Sequence, residues 1–184
     1  MSQKPDPHIS AEVKINLTIL VLGAMVMILN ETALSVALPT IMADFGIPAT
    51  SAQWLLTGFL LTMGVVIPTT GFLMDKFTTR QIFLASSGMF LAGTVLAALA
   101  PAFGVLLVGR VFQAAGTALM IPTLMMVAMT LVPPQRRGSV MGIISVVISV
   151  APALGPTVGG FVLSMSSWHV IFWTMVPLLG LICA

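Results

Sequence analysis

The chain has 184 residues, of which 58% are apolar and 7% charged, and its mean hydropathy is +1.13. Seven basic and five acidic residues cannot furnish the charged surface that a water-soluble fold of this length needs. The basic residues behind the formal charge of +2 are scattered, which argues against a nucleic-acid surface, and the single cysteine, Cys183, excludes an intrachain disulfide and an all-cysteine metal site.

No formal charge lies between Asp44 and Asp75 or between Arg80 and Arg110, and none follows Arg137 apart from His169. Each gap exceeds the roughly 20 residues that cross about 30 Å of hydrocarbon at about 1.5 Å per residue. Strand alternation, heptads and low-complexity tracts are missing from the sequence. The expected fold class is all-α membrane.

A tail over 1–14 leads into a six-helix domain over 15–184. The first span covers about 15–41. Lys14 before an apolar run, with Ser35-Val36-Ala37 after it, imitates a secretory signal. The run to Pro39 is too long for one, and Glu31 interrupts it, so an uncleaved helix is expected. A loop over 44–50 contains Gly46 and Pro48. The second span covers about 52–72, and Asp75–Arg80 forms a charged connection. The third covers about 81–99 and is turned by Pro101 and Gly104. The fourth covers about 105–131 and ends at Pro133-Pro134. The fifth covers about 138–164 and closes at Ser164–Ser167. The sixth covers about 168–184, rises only about 25 Å and meets no charged exit, so the chain reads as a fragment cut within it.

Lys4, Lys14, Lys76, Arg80, Arg136 and Arg137 all fall on one side of these spans, which is expected to be cytoplasmic, with the N-terminus inside. Trp54 and Trp168 fall at the opposite boundary, where interfacial anchors sit.

Glu31 and Arg110 are the formal charges placed inside spans. Each costs about 3 kcal/mol at mid-membrane on an insertion scale. Counted along their helices, Glu31 lies roughly 15 Å and Arg110 roughly 8–10 Å from the outer end, depths compatible with mutual approach. The expectation is a polar cavity shared by the first and fourth spans. Met27, Glu31 and Ser35 recur on one face with Asn30 beside it, and Arg110, Gln113 and Thr117 form a stripe on the other helix. An intramembrane carboxylate is a natural proton carrier, because burial and a neighbouring guanidinium pull its protonation in opposite directions.

The fifth span contains Ala151-Pro152-Ala153-Leu154-Gly155-Pro156-Thr157-Val158-Gly159-Gly160. Interior prolines remove backbone hydrogen bonds, and Gly155, Gly159 and Gly160 allow close backbone approach. This is expected to be a helix that slides or bends against a neighbour.

These residues resemble the major facilitator superfamily, and within it the fourteen-helix drug:proton antiporters of the EmrB/QacA and lincomycin-resistance type. Leu29-Asn30-Glu31-Thr32-Ala33-Leu34-Ser35-Val36-Ala37-Leu38-Pro39 is similar to the first-helix signature of that branch. Gly71-Phe72-Leu73-Met74-Asp75-Lys76 with Arg80 resembles the loop motif after the second helix. Gly109-Arg110-Val111-Phe112-Gln113-Ala114-Ala115-Gly116 resembles the fourth-helix motif, and the Pro/Gly decapeptide the antiporter motif. Departures are Thr78 and Thr79, where glycine and a basic residue are usual, and His169, where arginine is frequent.

The resemblance implies the N-terminal half of a major facilitator fold, an inverted 3+3 repeat, in the cell membrane. It implies drug:proton antiport by alternating access, powered by the proton gradient without a cofactor or metal. Glu31 would carry the proton or bind cationic substrate, with Asn30, Arg110 and Gln113 around it. Pro152, Gly155, Pro156, Gly159 and Gly160 would permit the rearrangement, and Gly71, Asp75, Lys76 and Arg80 would hold one access state. The implied partners are lipid, amphipathic drugs, protons and a missing C-terminal half. A symporter of the same fold and a non-transporting or dimerising membrane fragment are the alternatives. An enzyme is not expected, since no nucleophile–base set or phosphate loop is present.

Overall fold

The computed structural model describes residues 10–183, and Lys4 lies outside them. Among the described residues the chain is helical throughout: α1 (Ala11–Phe45), α2 (Ala49–Ala52), α3 (Trp54–Lys76), α4 (Thr79–Ala98), α5 (Phe103–Leu131), α6 (Pro134–Met165) and α7 (His169–Cys183). α2 is a single turn that leads into α3. Five helical stretches are long and apolar enough to cross a membrane, and α7 is a shorter apolar helix.

Helix ends run past the expected boundaries where caps satisfy them. Ser10 accepts the Val13 N–H, which starts α1 four residues early. At its other end Gly46, at φ 61°, caps α1 in the left-handed conformation, and its N–H reaches the Met42 carbonyl. Thr78 and Gln81 form a reciprocal capping box at α4, so Phe77 and Thr78 alone separate two helices where a longer charged connection was expected. Pro134 occupies the first turn of α6. A proline there sacrifices no hydrogen bond, and the segment expected as a loop up to Gly138 is helix instead.

α4 packs most extensively on α5, and α1 on α6. The first interface is a backbone contact. A Cβ at Gly93 would stand 2.5 Å from the Gly109 carbonyl oxygen, and one at Gly116 would stand 2.6 Å from that of Ser86. Glycine is required at both positions by this close approach. α5 is the most enclosed helix, and α3 and α6 are the least.

Two apolar clusters build the core. One gathers Leu20, Met27, Phe90, Met120, Leu124 and Met175. The other gathers Leu34, Ile41, Leu55, Ala97, Leu106, Trp168 and Phe172. Along α1, α4 and α5 the chain passes from one cluster to the other, and the crossing is polar on all three helices.

Candidate functional site

The polar layer is built around Arg110, which is 0% exposed. Its Nη1 donates to Gln113 Oε1 at 2.9 Å and to Asn30 Oδ1 at 3.5 Å. Its Nε donates to the Leu55 carbonyl oxygen at 3.4 Å, and the guanidinium lies over the Phe59 ring, 4.2 Å from the centroid. One arginine thus joins α1, α3 and α5. Several charge-assisted hydrogen bonds and a cation–π contact, each worth about 1–3 kcal/mol, can offset an insertion cost of about 3 kcal/mol.

Gln113 is held in turn. Its Nε2 donates to Thr94 Oγ1 at 2.8 Å, and the Thr94 hydroxyl donates to the Phe90 carbonyl oxygen at 2.7 Å. With its hydrogen committed, the hydroxyl offers Gln113 a lone pair. The amide nitrogen therefore faces α4, and the amide oxygen faces Arg110. Thr117 donates its hydroxyl to the Gln113 carbonyl oxygen at 3.0 Å. The Arg110, Gln113 and Thr117 stripe is buried as a unit.

On α1 the contact falls one residue from where it was expected. Asn30, 0% exposed, meets the guanidinium. Glu31 is half-buried, and the hydrogen bonds of the guanidinium go to Asn30, Gln113 and Leu55 rather than to its carboxylate. The face expected from Met27, Glu31 and Ser35 splits accordingly: Met27 is in the core, whereas Ser35 is exposed. The surroundings of Arg110 are a packed polar cluster, not an open cavity. Within it Arg110 Nη2 and Asn30 Nδ2 are buried donors without a hydrogen-bond partner among the described residues.

The Pro/Gly segment of α6 lies against the same stretch of α1. Gly155 seats on Thr32 and Gly159 on Ala33, where a Cβ at Gly159 would come within 2.7 Å of the Ala33 carbonyl oxygen. Gly160 has open space beside it, and Pro152 and Pro156 are exposed on the far side of a continuous helix. In the loop segment Gly71, Asp75, Lys76 and Arg80 are all exposed, with Lys76 Nζ 4.3 Å from the Phe72 ring centroid.

Trp168 is not the lipid-facing anchor expected from its place in the sequence. It is 1% exposed and donates its indole N–H to Asp44 Oδ2 at 2.9 Å. His169 stacks on it at 3.6 Å, with Phe45 at 5.7 Å. Trp54 remains exposed. Thr94, the Leu55 carbonyl and Phe59 were missed at the level of sequence. Of these, only Thr94 left a signal, as a hydroxyl in an apolar span.

A family model described as Major Facilitator Superfamily matches residues 20–184. The chain is 48% identical over 159 residues to an uncharacterized MFS-type transporter, YcnB, of Bacillus subtilis, covering 86% of this chain and 34% of that protein. It is 44% identical over 162 residues to the lincomycin resistance protein LmrB of the same organism, covering 88% and 34%. The chain therefore spans about a third of the length of these relatives. Among solved structures, the peptide transporter POT superimposes with a TM-score of 0.80 at 18% identity, covering 91% of this chain and 36% of that one.

Proposed function

This chain belongs to the major facilitator superfamily, and from that premise we propose that it forms the N-terminal six-helix wall of a proton-coupled exporter of amphipathic drugs. The observation that carries this reading is a fully buried arginine in a membrane span, hydrogen-bonded to the residue that precedes an intramembrane glutamate. Buried charges inside membranes mark ion and proton paths. The kinship with a lincomycin resistance protein supports a drug as the cargo.

In the proposed cycle Glu31 exchanges its proton for a cationic or amphipathic substrate. Arg110, kept in place by Gln113 and Asn30, stabilises the carboxylate when the proton leaves. The unpaired donors on Arg110 and Asn30 supply hydrogen bonds that the ionised carboxylate accepts more strongly than the protonated one. The glycine face of α6 rides on α1 directly after Glu31, which couples protonation to helix movement. A second six-helix unit supplies the opposite wall, and the basic ends of the helices face the cytoplasm.

The test uses everted vesicles carrying the exporter and a fluorescent cationic drug. Glu31→Gln is expected to abolish accumulation driven by a pH gradient while retaining gradient-independent exchange. Undiminished driven accumulation overturns the proposal.

A further inference from the structure

The N-terminal ends of α1 and α6 enclose a groove of about 490 Å³. On the α1 side it is lined by Lys14, Leu17, Thr18, Val21 and Leu22, and on the α6 side by Arg136, Ser139, Val140, Ile143 and Ile144. The two sides mirror each other. Each begins with a cation and adds one hydroxyl and three aliphatic side chains. From Lys14 to Leu22 and from Arg136 to Ile144 the helices rise about 12 Å. Leu17 and Ile144 are buried and close the floor, whereas Leu22 and Ile143 stand 44% and 60% exposed at the mouth.

We infer that this groove binds an anionic phospholipid, with its phosphate between Lys14 and Arg136 and the start of an acyl chain along the aliphatic floor. The charge pattern selects an anion: two cations, Lys14 and Arg136, stand in the first turns of two long helices, whose N-terminal dipole ends add to the positive potential. Arg137 is turned away, its Nε donating to the Val132 carbonyl oxygen at 3.0 Å. Glu12, the carboxylate in the first turn of α1, is not among the residues that line the groove. The floor selects a lipid over a small anion, because the aliphatic stretches Leu17–Leu22 and Val140–Ile144, each rising about 6–8 Å, gain nothing from an inorganic ion. Basic pockets between transmembrane helices recognise anionic headgroups on this principle.

Native mass spectrometry of the purified protein, released from detergent with phosphatidylglycerol, phosphatidylcholine or inorganic phosphate, tests the inference. Phosphatidylglycerol is expected to be retained in preference to phosphatidylcholine, and inorganic phosphate is not expected to be retained. At about fivefold per cation, Lys14→Gln with Arg136→Gln is expected to weaken retention roughly 25-fold. Lys76→Gln with Arg80→Gln, at the same end of the bundle, should leave it unchanged. Ile143→Trp, at an exposed position that does not disturb the core, should narrow the groove and reduce phosphatidylglycerol retention. Equal retention of the two lipids, or an undiminished signal in the Lys14 and Arg136 variant, overturns the inference. Phosphate binding as tight as lipid does so too, since it leaves an anion site alone. So does a photo-crosslinker at Ser139 that captures polypeptide instead of lipid.

Discussion

Thr94 accepts a hydrogen bond from the side-chain amide of Gln113 at 2.8 Å, and through that bond a hydroxyl on α4 decides which end of the amide faces Arg110 on α5. Thr94→Val preserves shape but removes the acceptor. Interhelical hydrogen bonds in membranes are worth about 1 kcal/mol, so a stability loss of that order is expected in thermal unfolding in detergent. Gradient-driven transport should fall further than the stability loss explains, and Thr94→Ser should restore it. Full activity in the valine variant would show that Gln113 holds its orientation without α4.

The α1–α6 interface predicts unequal responses from neighbouring glycines. Gly159→Ala places a methyl group against the Ala33 backbone, and Gly155→Ala places one on Thr32. Neither helix can yield without parting, so each change is expected to cost about 1–3 kcal/mol and to lower the yield of folded protein. Gly160→Ala meets open space and should behave like the parent. Detergent-solubilised yield and thermal midpoint measure the contrast, and equal effects at Gly159 and Gly160 would contradict the packing.

Trp168 ties the start of α7 to the end of α1 through Asp44. Trp168→Phe keeps much of the aromatic packing and loses the hydrogen bond, for an expected cost of about 1 kcal/mol. Asp44→Asn, which retains a carbonyl acceptor, should cost less than Asp44→Ala. A thermal-unfolding series on the three variants checks the order. Equal midpoints for Asp44→Asn and Asp44→Ala would mean that the indole N–H contributes nothing.

Hydropathy and charge gaps made the helical membrane fold legible, and the quoted motifs made the family legible. Helix ends were less so. A run of apolar residues reports thickness, while the cap that ends a helix depends on single side chains such as Ser10, Thr78 and Pro134. The polar pair was legible as two charges that had to be sheltered, but its partners were not. Adjacent residues on a helix point about 100° apart. Whether Asn30 or Glu31 stands against Arg110 is therefore decided by the rotation of α1 about its axis, and that rotation is set by how α1 seats on α5 and α6. Trp168 was misjudged for a related reason, because an indole near a helix end serves equally well in lipid or under a neighbouring helix.

What the sequence determined by itself is the partition of this chain between lipid and water, since transfer free energies add residue by residue along a segment without reference to any other. The tertiary structure alone decided which polar groups meet. The Thr94–Gln113–Arg110–Asn30 chain draws on three helices, with Asn30 and Arg110 standing 80 residues apart, and the glycine contacts between α4 and α5 bring those two helices close enough for their side chains to bond.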